Sequence, residues 1–509
     1  MRTRKALLNL TVSLGAQGLN IFLQFLSRYI FVRHFSEEYL GVNGLFTEIL
    51  TVFSLAELGI STSMMYGLYK ILADKDEEEI SRLMNLYRRM YFLVGLSVAV
   101  IGMIMFPFLG YFVGDTQIPH IRLIYLMYLL NSVSSYFFSY KQTLIRADQK
   151  EYIVSGVTQL IKFIQVMIQI AVIVWTENFY LYLGIQIICQ IGTNIVLAAI
   201  ADIKYPFIRE KNTGLPAKEI RKDIYDHIKA MAFHRFGSIF VFNTDNVIIS
   251  MFVGLGTVGI YSNYKMVINN LKAVSDYIYN AIAASVGNAA VTETPERTLY
   301  IYRSLNMGMS LLTGWESVCL LVLFNPFIEL FFGEKYLLSS VTVLVIVIDF
   351  YVLGMRQMTI CFRNAMGLFW NDRYKPVFEV VINLGISLLL VQNYGIAGVI
   401  LGTTISSLAT NFWVEPYVFF KHGIKENWKK NLRDYYLKYA GYTLFTVVCA
   451  VICLWLADLT GAGLVSFLIK GVGTTFIYGG MSWLVFGRTS EGRYFVDKLL
   501  TIVRKMRRK

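Results

Sequence analysis

The sequence predicts an all-α polytopic membrane protein, and three observations carry that reading. Apolar residues make up 56% of the 509 residues and charged residues only 16%, whereas a soluble globular chain holds roughly 25% charged residues. Fourteen stretches of the chain approach the ~20 mostly apolar residues that a spanning helix needs. The basic residues gather in alternate gaps between those stretches. The composition excludes a disordered or disulfide-rich secreted chain and argues against one large soluble domain.

The chain opens Met-Arg-Thr-Arg-Lys and then runs apolar from Leu8 to about Val32. That run is too long for a signal-peptide core, and no small-x-small cleavage site follows, so it reads as the first span. The later spans start near Tyr39, Met90, Arg122, Ile153, Phe179, His227, Val258, Tyr302, Leu337, Pro376, Ile396, Tyr439 and Leu464. The second and fourth are polar for lipid-facing helices and are expected to face a bundle interior or a cavity. With the N-terminus inside, 36 of the 47 Lys and Arg residues lie in cytoplasmic segments, and the outer loops hold only Arg33, Arg122 and Lys335. This positive-inside pattern predicts that both termini are cytoplasmic. It also accounts for the net charge of +13 without nucleic acid, since the basic residues form no single patch. No outer loop is long enough to be a domain.

The chain repeats itself. Pro107-Phe108-x3-Phe112-x-Gly114-Asp115 recurs as Pro326-Phe327-x3-Phe331-x-Gly333-Glu334, at an offset of 219. Gly41 aligns with Gly259 at 218, and Arg28 with Asp245 and Thr193-Asn194 with Thr410-Asn411 at 217. The pattern predicts two six-helix lobes, 1–202 and 227–420, parallel because six is even. Parallel repeats are a transporter design, with the substrate site at the repeat interface. Two extra helices occupy 421–487. The stretch 203–226 is a basic cytoplasmic linker, with Pro216 where a helix could start. Eight basic residues in the tail 488–509, with Phe495, Val496, Leu499, Leu500, Val503 and Met506, predict an amphipathic surface helix drawn to anionic lipid. A solvated tail is the alternative.

Catalytic, nucleotide and metal signatures are largely missing. No Gly-x4-Gly-Lys-Ser/Thr loop or His-Glu-x-x-His occurs. Asp74-Lys75-Asp76 sits in a charge run continued by Glu77, Glu78 and Glu79, which reads as a solvated loop. The five cysteines lie in apolar stretches and read as small hydrophobes, so no metal or cofactor is expected.

What remains is intramembrane charge, which costs at least ~2.5–3.5 kcal/mol per group unless it is paired or faces water. Lys265 and Lys272, seven apart, share one face of the eighth span, with Asp276 at ion-pair spacing beyond Lys272. Tyr261, Asn263, Tyr264, Asn269, Asn270 and Tyr277 surround them, a wall suited to a pyrophosphate and sugar hydroxyls. A buried scaffold helix with a self-paired Lys272 and Asp276 is the alternative. Asp349, Arg356 and Arg363 form a stripe at successive sevens in the tenth span. Glu48 lies in the second span, and Arg28 near the outer end of the first, where snorkelling is the competing reading. Asp245 lies deeper, about 10 Å from the outer end of its span.

Val258-Gly259-Ile260-Tyr261-Ser262-Asn263-Tyr264, following Asn243-Thr244-Asp245-Asn246, and Tyr39-Leu40-Gly41-Val42-Asn43-Gly44-Leu45-Phe46, leading to Ala56-Glu57-Leu58-Gly59-Ile60, carry a family resemblance. They resemble bacterial polysaccharide-biosynthesis membrane proteins, the O-antigen and capsule flippases, whose superfamily also holds multidrug-and-toxin extruders and the lipid II flippase. The resemblance spans about 1–487 and implies two six-helix lobes around a central cavity. It implies a transporter, not an enzyme, in the bacterial cytoplasmic membrane. That transporter would move undecaprenyl-pyrophosphate-linked oligosaccharide outward by alternating access, with polysaccharide polymerase and glycosyltransferases as neighbours in the pathway. Carried onto this chain, it points to Arg28, Lys265, Lys272, Arg356 and Arg363 for the substrate, and to Glu48, Asp245 and Asp349 for ion or proton coupling. Asp245 opposite Arg28 departs from a uniformly cationic cavity. An organic-cation extruder, a polymerase and a scaffold for the assembly machinery are the competing readings. The two lysines of the eighth span oppose the first, and the lack of a large outer loop opposes the second.

Overall fold

The computed structural model describes residues 2–57, 60–209, 214–226, 228 and 243–495. The first part of the seventh expected span, from His227 onward, and the tail from Val496 lie largely or wholly outside the described residues. Every regular element among the described residues is helical. The chain divides into two compact units, Met1–Gly259 and Ile260–Lys509.

The first unit contains α1 (Arg2–His34), α2 (Glu37–Phe53), α3 (Ile60–Asp74), α4 (Glu77–Met105), α5 (Leu109–Val113), α6 (Ile121–Tyr136), α7 (Ser139–Ala147), α8 (Glu151–Thr176), α9 (Phe179–Lys204) and α10 (Asp245–Phe252). The next helix, α11 (Leu255–Thr292), starts in this unit and runs into the second. There follow α12 (Pro295–Phe332), α13 (Ser340–Met355), α14 (Gln357–Ala365), α15 (Lys375–Ala409), α16 (Asn411–Val418), α17 (Trp428–Asp458) and α18 (Leu464–Phe486). In the first unit α1 packs on α8, α8 on α9, and α6 on both α4 and α9; in the second, α12 packs on α13, α17 and α18.

Local chemistry explains the helix ends. The acidic run after Lys75 is not a loop. Asp76 caps α4 by accepting the Glu79 N–H at 3.0 Å, and Glu77, Glu78 and Glu79 fill the first turn, where carboxylates meet the positive end of the helix dipole. Both copies of the Pro-Phe-x3-Phe-x-Gly motif close a helix on a glycine of positive φ, Gly114 at 63° and Gly333 at 99°. The fourth and tenth expected spans break at matching places, α6/α7 at Phe137-Phe138 and α13/α14 at Arg356.

Among the described residues eight helices are long and apolar enough to cross a membrane, or nine if the bent α6/α7 pair is one span. Fourteen is a larger number, and the structure shows why some expected spans stand apart. α2 has only 17 residues. Helix α15 covers two expected spans. It breaks at Gly395, whose φ of 53° lies outside helical space. Asn383 bonds Thr403 at 2.9 Å and Ser387 bonds the Val399 carbonyl at 3.1 Å. These pairs converge on Gly395, so α15 is a hairpin of two antiparallel helices.

Aromatic packing holds each unit. Phe31, Phe35, Tyr39, Phe179 and Tyr182 stack in the first, with ring centroids 4.8–6.1 Å apart. Tyr302, Phe362, Phe419 and Phe420 do so in the second, where Tyr302 and Phe419 lie 4.5 Å apart. Cys449 and Cys453 are buried against Tyr478 in another apolar cluster, as small hydrophobes.

Candidate functional site

In the first unit, α2 crosses the start of α11 at very close range. A Cβ on Gly41 would meet the Leu255 carbonyl, and one on Gly259 would meet the Glu37 carbonyl. The two repeat-related glycines therefore lie where backbones meet and no side chain fits. The same crossing places Glu48, 5% exposed, at the first turn of α10, where its carboxylate accepts the Asn246 N–H at 2.9 Å. Asp245, the first residue of that helix, is buried beside it. Two of the acidic candidates are thus brought together, and Glu48 has an evident structural task at a helix N-terminus. Arg28 on α1 is half-buried and within electrostatic range of the Tyr128 and Tyr182 hydroxyls. Tyr128 in turn donates to Asn43 Oδ1 at 3.0 Å.

In the second unit the polar wall expected around Lys265 and Lys272 is smaller than the sequence suggests. Tyr261, Asn263 and Tyr264 are buried. Tyr264 donates to Asn325 Oδ1 at 2.6 Å and accepts the Leu338 N–H at 2.9 Å, which ties α11 to α12 and to the loop after it. Asn270 bonds its own helix at Met266. Of the three asparagines only Asn269 is exposed, and both lysines are half-buried. Lys272 is within electrostatic range of both Asp276 and Asp349. Asp349 also accepts from Thr404 Oγ1 at 3.0 Å.

The stripe of Asp349, Arg356 and Arg363 does not run along one continuous helix, because Arg356 is the break between α13 and α14. Both arginines belong to a buried ion network. Arg356 donates to Glu415 through Nε at 3.0 Å and Nη2 at 2.5 Å, with Glu379 at 3.9 Å. Arg363 pairs with Asp372, donates to Asn364 Oδ1 at 3.1 Å, and has Glu415 at 3.7 Å. Lys375 pairs with Glu415 and has Asp372 at 3.9 Å. Three cations therefore balance three carboxylates, and each carboxylate side chain is at most 9% exposed. Arg356 and Arg363, read from the sequence as cations for a substrate, are thus both paired with carboxylates inside the protein. Asp372 and Lys375 are the members that span-by-span reading missed. They lie at the mouth of a predicted helix, where a charge reads as a loop residue, and only the fold brings them to Glu415.

Another buried carboxylate, Glu316 on α12, accepts from Ser275 of α11 at 2.6 Å. Among the described residues no group of three His, Cys, Asp or Glu side chains is placed to hold a metal ion.

A family model described as polysaccharide biosynthesis protein matches residues 6–286, a stretch that contains Arg28, Glu48, Asp245, Lys265 and Lys272. No curated protein matches the sequence. Among solved structures, the chain is similar to the lipid II flippase MurJ in an inward closed conformation, with a TM-score of 0.62 at 14% identity over 94% of this chain and 99% of that one. It is also similar to an inward-facing multidrug resistance transporter of the MATE family of the MOP superfamily, with a TM-score of 0.60 at 14% identity over 83% and 99%. At such identity the likeness shows a shared fold.

Proposed function

This chain belongs to the polysaccharide biosynthesis protein family, and from that premise we propose that it is a flippase for undecaprenyl-pyrophosphate-linked oligosaccharide. It would carry that lipid from the inner to the outer leaflet of the bacterial cytoplasmic membrane by alternating access, for surface polysaccharide such as O-antigen or capsule. The observation that carries the reading is the match of residues 6–286, supported by the fold it shares with a lipid II flippase. An oligosaccharide on a pyrophosphate needs cations for its head and no bond chemistry, and the chain offers intramembrane lysines without a catalytic motif.

Fourteen spans with both termini cytoplasmic follow from the distribution of basic residues. The segments 1–202 and 227–420 form the repeated lobes, 203–226 the linker, 421–487 the added helices and 488–509 the lipid-attracted tail. Lys265 and Lys272 on α11 hold the pyrophosphate as mobile point donors, and Arg28 on α1 is a further cation for the head group. Asp349, within range of Lys272, and Asp245 with Glu48 are the groups for ion coupling. Polymerase and glycosyltransferases of the same pathway are the partners.

Deleting the gene tests this. Lipid-linked repeat units are expected to accumulate on the cytoplasmic side, with loss of surface polysaccharide. Unchanged surface polysaccharide together with altered sensitivity to cationic drugs would overturn the proposal in favour of an extruder.

A further inference from the structure

A pocket of about 720 Å³ opens in the first unit between α4 and the break of α6 and α7, a volume within the usual range for small-ligand sites. Arg88 and Arg89 line it together with Tyr91, Phe92, Phe138 and Tyr140. Both arginines are exposed, and among the described residues no hydrogen bond or ion pair holds either of them. They lie at the cytoplasmic end of the third span as the charge distribution orients it. Behind the lining Tyr91, Glu57 accepts from its hydroxyl at 3.5 Å. Lys141 beside the pocket is already bound to Asp202 at 2.6 Å.

The opposite wall is built from a strained turn. Phe137 is extended, with ψ of 128°, and Phe138 holds a φ of 67°, a left-handed conformation that a bulky residue rarely adopts. The turn leaves Phe137 and Phe138 43% and 45% exposed beside the arginines. Such strain persists where a site requires the geometry. Above the pocket on α4, Phe92, Leu96, Val100 and Ile104 recur every four residues, and all are exposed, so an apolar stripe climbs from the arginine pair along one helix face.

We infer that this pocket binds the head group of an anionic bilayer phospholipid from the cytoplasmic leaflet. The phosphate would lie against the two guanidinium groups, which match its oxygens in a fork. The tyrosines would meet the glycerol region, and the acyl chains would lie along the stripe of α4. Among the described residues none that lines the pocket belongs to α11, and the inference rests on the chain being in a membrane with the third span oriented as its charges predict. The shape favours a lipid over a free anion, because the charged floor continues directly into an apolar wall.

The test uses the full-length chain purified in neutral detergent, with phosphatidylglycerol or phosphatidylcholine of the same acyl chains added, and native mass spectrometry as the readout. One tightly held phosphatidylglycerol adduct is expected, with no matching phosphatidylcholine adduct. The R88Q/R89Q variant should weaken that adduct about thirtyfold, which is about 2 kcal/mol for two basic residues at an anionic lipid. R88K/R89K should keep most of it. Each single Gln variant should weaken it about fivefold, which keeps the test open if the double variant aggregates. Undiminished phosphatidylglycerol binding by the Gln variants would overturn the assignment. Displacement of the adduct by millimolar inorganic phosphate would overturn it in favour of a free-anion site. Loss of a polyprenyl-pyrophosphate adduct in R88Q/R89Q with phosphatidylglycerol retained would overturn it in favour of a substrate site.

Discussion

Glu415 is the carboxylate on which the buried network of the second unit turns. Its side chain is fully buried and accepts from Arg356 at 3.0 and 2.5 Å and from Lys375, with Arg363 at 3.7 Å. Replacing it by Gln or Ala leaves three buried cations facing two carboxylates. Arg356 then keeps only Glu379 at 3.9 Å, and Lys375 keeps only Asp372 at 3.9 Å. Removing one partner of a buried ion pair costs about 3–5 kcal/mol. At about 2–4 °C per kcal/mol for a unit of this size, the melting temperature should fall by roughly 6–20 °C. The measurement is thermal unfolding of detergent-purified protein, followed by fluorescence-detected size exclusion. K375M/E415Q restores the balance at two against two and should recover at least half of the loss. The exposed pair of Arg82 and Glu78 is the internal control, since surface pairs contribute about 0–1 kcal/mol. A Glu415→Gln protein melting within about 2 °C of the parent would refute the reasoning.

Lys265→Ala should lower complementation of surface polysaccharide, normalised to protein in the membrane, while Lys265→Arg retains part of it; full complementation by Lys265→Ala would place the head-group site elsewhere. Gly41→Leu and Gly259→Leu should each force α2 off the start of α11, because the new side chain meets a carbonyl, and the assay is the monodisperse fraction on size exclusion. A cysteine at Asn178 should react with an impermeant thiol reagent in intact cells and one at Asn212 should not; the reverse would refute the topology. Burial pushes the Glu491 carboxyl up, but hydrogen bonds from Lys438 and Ser490 outweigh it and hold its pKa at about 2. Its contribution is thus present above the ordinary carboxylate range, near 4.5, and is lost as pH falls towards 2. Protection of the amides in residues 488–495, taken relative to the intrinsic exchange rate at each pH, should fall between pH 5 and pH 2.5 in the parent and be low throughout in Glu491→Gln.

Much of this protein is legible from one dimension because a bilayer imposes one-dimensional rules. A span must be apolar over its length, its backbone must bond to itself, and basic loops stay inside. Apolar runs and basic gaps therefore mark the helices and an orientation before any packing is known. The two Pro-Phe-x3-Phe-x-Gly motifs were also legible, because each meets a local demand, a positive φ at its glycine, whereas Gly41 and Gly259 were legible only as a repeat and their close approach joins residues more than 200 positions apart. Pairing of charges is a different kind of fact. The stripe of Asp349, Arg356 and Arg363 looked like a ligand surface because periodicity records which residues share a face and not what that face meets. Only the fold brings Glu379 and Glu415 from α15 and α16, and Asp372 and Lys375 from the helix mouth, onto those arginines. Tyr264 looked like a wall residue until Asn325 and Leu338, more than 60 positions away, took both sides of its hydroxyl. Whether a buried charge is a site or a strut depends on its partners in space, and those partners come from distant parts of the chain.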